Sequence, residues 1–269
     1  MGGSGPVTHV KGGLNVSNIV SMERKSGEFK TGGRWAPLKN VTLAAKAVER
    51  AMNRSPNLPG MVALCGPSGW GKSMAASYCA NRFEGIYVEA RSYFTKKTFV
   101  ESILKEMGIK AGRTIAEMMD QVAEQLDLSN RPLIIDEMDH LVDRNSIEIV
   151  RDLHEMSRST MLLVGEEQFP RKLLRRSERF HNRVLQWVLA QPCSREDARS
   201  LAEFYCQIPI ADDLLDHFRE RCRGVTRYIS VNIDRARELA QTEALKKIDL
   251  AAWGKREIYS GDAPPRRPA

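Results

Sequence analysis

"MVALCGPSGWGKS", residues 61–73, decides how the rest of the chain is read. Five apolar residues run without interruption and then give way to three glycines, a lysine and a serine. An unbroken apolar run of this length suits a strand buried on both faces. Residues 66–73 fit the pattern G-x-x-x-x-G-K-[ST]. Glycines let successive backbone N–H groups converge on phosphate oxygens with no Cβ in the way, and a following helix adds its positive N-terminal end. The continuation "KSMAASYCANR" carries a helical pattern, so strand, loop and helix stand in register. Gly66, Pro67, Ser68, Gly69, Trp70, Gly71, Lys72 and Ser73 are therefore read as a nucleotide-phosphate cradle. Lys72 is expected to reach the β and γ phosphates, and the Ser73 hydroxyl to bind Mg²⁺.

Outward from this stretch, "IYVEA" (86–90), "PLIIDE" (132–137), "TMLLVG" (160–165) and "VLQWVLA" (184–190) are similar apolar runs. Helical spacing of apolar residues lies at 41–54 and between the strands, at 72–82, 97–107, 114–127 and 145–157. Strands alternating with helices predict an α/β fold, a parallel sheet with helices on both faces. From 194 onward the strand signal ends, and "SREDARSLAEFYCQ", "ADDLLDHFRERCRG" and "RYISVNIDRARELAQTEALKK" read as three helices. Ser194 with Asp197 predicts a capping arrangement, and Gly224 a helix C-terminus. The expected organisation is a flexible segment at 1–40, an α/β nucleotide-binding domain at 41–193, a small helical domain at 194–250 and a structureless Pro-rich tail at 251–269.

"PLIIDE" ends in Asp136 and Glu137. An aspartate at the C-terminal end of a strand neighbouring the cradle can hold Mg²⁺ through water, and the glutamate beside it can polarise an attacking water. This pair favours ATP hydrolysis over phosphoryl transfer to a small molecule, which needs an acceptor pocket and a lid. Asp139 reads as a cap or a surface residue. The net charge of +7 permits a polyanionic partner without establishing one. No apolar run of about 18 residues is present, so no membrane-spanning helix is expected. "MGGSGPVTHVKGG" lacks the apolar core of a signal peptide. Five cysteines without a CxxC pair suggest reduced, buried thiols of a cytosolic protein and argue against zinc.

In this order the parts resemble an AAA+ ATPase over about residues 40–250. "GPSGWGKS" looks like the Walker A motif, "LIIDE" like the Walker B, and "TMLLVG" is similar to the sensor-1 strand. "LLRRSERFHNRV" resembles the segment that donates an arginine finger, and "RGVTRYISVNIDRA" the lid helix with a sensor-2 arginine in a G-x-x-R setting. The resemblance implies a P-loop NTPase sheet with a C-terminal α-helical lid, ATP and Mg²⁺ as cofactors, and Arg227 as the sensor-2 residue. Within AAA+, "TGGRWAPLKNVTLAAKAVERA", "EARSYFTKKTFVESILKEMGI" and "LLVGEEQFPRKLLRRSERFHNRV" are similar to the transposition ATPases of Mu-like phages (transposition protein B) and their TnsC and TniB relatives. That likeness implies ATP-dependent self-assembly into helical filaments on double-stranded DNA without sequence preference. It also implies target selection, recruitment and stimulation of a transposase, and a place in the cytoplasm of a bacterial host. A replication initiator or helicase loader shares every core residue and is the alternative; a nucleotide-switched scaffold ATPase of a secretion-type machine is another.

The sequence departs from the family at Glu166, which stands where a small polar or amide residue usually follows the sensor-1 strand. Near a γ-phosphate its carboxylate must be turned away or engaged elsewhere. "RSYFTKKTF" (91–99) interleaves Arg91, Lys96 and Lys97 with Tyr93 and Phe94. The resemblance makes Arg91, Tyr93, Lys96 and Lys97 a DNA-tracking loop; a solvated helix start over buried aromatics is the other reading. Arg171, Lys172, Arg175, Arg176, Arg179 and Arg183 face a single acid, Glu178, within 171–183. One of them is expected to be the finger that completes a neighbour's ATP site, with Arg179 chosen and Arg183 and Arg176 in reserve. Met118, Met119 and His154 read as core or surface rather than ligands.

Overall fold

The structure is a computed structural model and describes residues 36–262. Residues 1–35 and 263–269, most of the expected flexible segment and the end of the expected tail, lie outside the described residues. Five strands form one parallel sheet: β1 (Met61–Cys65), β2 (Ile86–Glu89), β3 (Leu133–Asp136), β4 (Met161–Gly165) and β5 (Val184–Leu189). Their order across the sheet is β2-β3-β4-β1-β5, and the five strands are the five apolar runs of the sequence. The helices are α1 (Lys39–Met52), α2 (Lys72–Arg82), α3 (Lys96–Glu106), α4 (Ile115–Ser129), α5 (Asp139–Asp143) and α6 (Glu148–Ser157). They continue as α7 (Phe169–Arg176), α8 (Glu178–His181), α9 (Arg195–Tyr205), α10 (Asp212–Arg221), α11 (Thr226–Thr242) and α12 (Leu250–Trp253).

Alternation along the strands sorts the core into two halves. Val62, Leu64, Ile134, Leu162, Val164 and Val188 face one way and pack with α1, α2 and the helices from α9 onward. Met61, Ala63, Cys65, Ile135, Met161 and Leu163 face the other way and pack with α3, α4, α5, α6 and α7. Both faces are covered, which is why the central strands read as continuous apolar runs rather than as alternating ones. The five cysteines are free and buried; burial pushes the Cys79 and Cys193 thiols up to about 12.

Local chemistry explains the element ends. Ser194 and Asp197 form the expected capping box at the start of α9. Asp197 does more: its Oδ1 accepts the Lys39 N–H at 2.7 Å, capping α1, whose own N-cap Leu38 has no side-chain acceptor. Gly224, at φ 70°, lies just past α10, and its N–H returns to the Arg219 carbonyl at 3.0 Å. The helical pattern at 145–157 begins later than expected, because Asn145 takes a left-handed φ of 53° and separates the short α5 from α6. Part of the expected structureless tail is folded. Trp253 of α12 is buried and meets Phe218 edge to face at 5.0 Å between centroids. Beyond it, the Asn232 carboxamide takes both the N–H and the carbonyl of Tyr259, each at 2.9 Å. Among the described residues no helix is long and apolar enough to cross a membrane.

Candidate active site

The loop 66–73 leaves β1 at the C-terminal end of the sheet, where ligands of parallel α/β sheets gather, and enters α2. Gly69 and Gly71 have φ of 78° and 80°, a conformation that favours glycine. Neighbours also enforce small residues here. A Cβ on Gly66 would stand 2.8 Å from Ala190 Cβ, and one on Gly69 2.8 Å from Val225 Cγ1. The loop is thus pressed between the exit of β5 and the entry to α11. The backbone N–H of Arg227 donates to the Gly69 carbonyl at 3.0 Å, which brings the first turn of α11 onto the cradle.

A buried amide holds this assembly together. Asn40 Nδ2 donates to the carbonyls of Trp70 and Gln191, both at 2.8 Å. Its Oδ1 accepts the Gln191 N–H at 2.8 Å. One side chain from α1 therefore ties the cradle to the segment leading from β5 into α9. Trp70, unexplained by the motif, has a place as well: its half-buried ring packs on the core half that holds α1 and α11.

Charge converges on the same point. Lys72 Nζ donates to the carbonyls of Gly66 and Pro67 at 2.7 and 2.9 Å. Burial lowers the Lys72 pKa, opposed by the fields of Glu137, Asp136, Glu166 and Asp139 in that order. Asp136 is buried; Tyr87 Oη donates to its Oδ2 at 2.6 Å, and the Glu137 N–H to its Oδ1 at 2.9 Å. Glu137 is half-buried, with its pKa raised by burial first and Asp136 second, against a lowering by Lys72. Its φ of 54° is left-handed, a strained conformation for this residue type and one concentrated at functional sites. The available donors, the exposed Ser73 hydroxyl and the Asp136 carboxylate, are hard oxygens and fit Mg²⁺. Among the described residues no group of three or more His, Cys, Asp or Glu forms a metal cage, so the other ligands of such an ion would come from phosphate and water.

Asp139 is not a surface residue. It is 4% exposed; its Oδ2 accepts the Glu166 N–H at 2.6 Å and its Oδ1 lies 3.0 Å from Lys172 Nζ. Glu166 itself is solvent-exposed, with its carboxylate 3.9 Å from Lys172 Nζ, while its field still reaches Lys72.

The basic residues divide by partner. Arg183 is paired in its own chain, with Nη2 2.9 Å from Glu155 Oε1. Arg175, Arg176 and Arg179 are exposed. In the β1–β5 register Val184 pairs with Met61 and Leu189 with Cys65. Arg183 therefore sits at the opposite end of the sheet from the cradle, a strand length of roughly 16 Å away, while α8, which carries Arg179, lies against β5 through His181 stacked on Trp187 at 5.0 Å. Arg227, by contrast, is at the cradle. The 91–97 stretch is a solvated helix start over one buried aromatic, with its basic residues exposed. Phe94 is buried with Tyr93 edge to face on it at 5.3 Å, and Thr95 caps α3. Arg91, Tyr93, Lys96 and Lys97 are exposed, Arg91 donating to Tyr93 Oη at 3.2 Å and Lys97 lying 3.8 Å from Glu101. This tip lies at the same end of the sheet as the cradle, three strand spacings or about 14 Å across.

Residues 57–173 match the family model described as "AAA domain". No curated protein sequence matches the chain. Among solved structures it is similar to Aeropyrum pernix ORC2 in its ADP form, with TM-score 0.63 and 14% identity over 80% of this chain and 66% of that one. It is similar to a Thermotoga maritima RuvB variant, with TM-score 0.57 and 19% identity over 81% and 68%. Domain III of the Thermotoga maritima replication initiation protein DnaA gives TM-score 0.53 and 16% identity over 81% and 92%. The chain thus spans slightly under two-thirds of the ORC2 chain. At these identities the likeness is one of fold: the sheet and its flanking helices are those of the AAA+ P-loop class.

Proposed function

We propose that the protein is an Mg²⁺-dependent ATPase that assembles on duplex DNA and serves target selection and transposase activation in DNA transposition. The observation that carries the ATPase reading is the convergence of Lys72, Asp136 and Glu137 on one cradle, with the Arg227 backbone hydrogen-bonded to it. In this reading residues 41–193 form the nucleotide-binding domain and 194–250 the lid. The N–H groups of 66–73 and the Lys72 ammonium bind the phosphates. Ser73 and, through water, Asp136 hold Mg²⁺, which offsets the β- and γ-phosphate charge when bound. Glu137, with its raised pKa, accepts a proton from the attacking water. Arg227 meets the γ-phosphate from the lid. Arg179, exposed and without an ion pair among the described residues, serves the site of the next subunit, so hydrolysis requires assembly.

DNA binding rests on the exposed Arg91, Tyr93, Lys96 and Lys97, and the transposition role on the sequence likeness of 31–51, 89–109 and 162–184. Electron microscopy with ATP, with and without duplex DNA, tests the reading. It predicts assemblies on DNA of any sequence that dissolve as salt rises; no assembly beyond the protein alone would refute it. Lys72→Ala loses nucleotide binding. Glu137→Gln keeps it, lowers turnover by about 100-fold or more, and leaves assemblies standing. Stimulation of a transposase separates this reading from a replication initiator, which would instead retain a helicase.

A further inference from the structure

Lys172 stands among three acids. Its Nζ is 3.0 Å from Asp139 Oδ1, 3.6 Å from Asp143 Oδ2 and 3.9 Å from Glu166 Oε2. Asp139 opens α5, three residues past Asp136, and is buried, so its carboxylate needs a lasting partner. Its second oxygen holds the N–H of Glu166, the first residue after β4. One carboxylate thus joins the ends of β3 and β4, and Lys172 joins both to α7. That helix is seated by the buried Phe169 and Leu173 and leads through Ser177 directly into α8 and Arg179. The other cations of 171–176 have no ion pair among the described residues, whereas Lys172 has three acids at graded distances.

The grading matters. Asp139 holds Lys172 closely, while Asp143 and Glu166 hold it at longer range and are themselves exposed. The field of Glu166 also reaches Lys72 in the cradle. Glu166 is thus shared between the field at Lys72 and the ion cluster around Lys172.

We propose that Lys172 is a positioning residue that couples the charge in its own cradle to the placement of the finger that α7 and α8 present to the adjoining subunit. This rests on the reading of Arg179 as a finger in trans, and mixed assemblies separate the two ideas. Lys172→Met alone lowers DNA-stimulated turnover by about ten-fold, leaves nucleotide affinity unchanged, and is rescued by Lys172→Arg. Unchanged turnover in Lys172→Met overturns the coupling.

Lys172→Met is then mixed with Glu137→Gln, which lacks the base but keeps α7 intact. If Lys172 acts on the neighbour, Glu137→Gln chains supply placed fingers to the intact sites of Lys172→Met chains, and the mixture exceeds the mean of its components several-fold. No gain in that mixture, with Lys172→Met folded by circular dichroism, means Lys172 serves only its own site and overturns the coupling. Lys172→Gln, which keeps the stem and a donor, replaces the methionine variant if that one does not fold. Arg179→Ala mixed with Glu137→Gln tests the underlying reading: recovery supports the finger in trans, and no recovery removes Arg179 from that role whatever Lys172 does.

Discussion

The phosphate cradle and the arginine segment at 171–183 are both polar, yet they are finished differently. The cradle is closed by its own chain: Asn40 and the Arg227 N–H take carbonyls of the loop, and Lys72 turns back on two more. Of the arginine segment, Lys172 and Arg183 are held by acids of the same chain, while Arg175, Arg176 and Arg179 face solvent. Groups that complete a site within one chain are buried and satisfied. In the proposed reading the exposed arginines await another chain, and the difference separates the half of an intersubunit site that this chain closes from the half that it offers.

The sharpest way to break this comparison is to remove arginines one at a time. Arg179→Ala should lower DNA-stimulated turnover by about 1,000-fold with nucleotide affinity unchanged, the scale of a lost arginine finger. Arg183→Ala, already paired to Glu155, should change turnover little. The reverse result in a steady-state ATPase assay would move the finger to Arg183.

The cradle side is tested through stability. Asn40→Ala leaves the carbonyls of Trp70 and Gln191 and the Gln191 N–H without their partner, a loss of about 2–3 kcal/mol. Urea denaturation should show it, with weaker nucleotide binding alongside. A denaturation midpoint equal to that of the unaltered chain would mean that Asn40 does not clamp the loop.

The smallest effect is expected at His154, close to the Arg183–Glu155 pair. Its ring lies between the Gly60 N–H, 3.3 Å from Nε2, and the Ser159 carbonyl, 2.9 Å from Nδ1. Burial lowers its pKa below the ordinary value of 6.5. The unfolded chain therefore takes up a proton at higher pH than the folded one. The stabilisation is complete above about pH 6.5 and is lost as pH falls toward the folded pKa, by at most about 1.4 kcal/mol per pH unit. Thermal melts at pH 7.5 and 5.5 should differ in this sense, and His154→Gln should narrow the difference.

What could be read in the sequence were features with a local signature. Five apolar runs became five strands, the glycine spacing of 66–73 became a loop between β1 and α2, and Ser194 with Asp197 became a capping box. What could not be read were contacts between distant residues. Asn40 falls at the end of the expected flexible segment, and its partners lie 30 and 151 positions away. Asp197 caps α1 from 158 positions along. Asp139 reads as a cap or a surface acid because nothing near it in sequence reveals that Glu166 and Lys172 will enclose it. The pairing of Arg183 with Glu155, 28 positions apart, likewise leaves no periodicity to detect. The exposed tip at 91–97 has the opposite character: Phe94 alone is buried among exposed basic and aromatic residues, so the buried aromatic of one reading sits within the exposed basic surface that the other requires.

Glu137 has a consequence for how such a chain can change. Its left-handed backbone is one that asparagine or glycine adopts with less strain. Substitutions that ease the fold at this position remove the group proposed to activate water. Mutational drift toward a sturdier protein would then end in a clamp, a chain that grips nucleotide and never resets. In that reading timekeeping, not strength, is what this strained residue contributes.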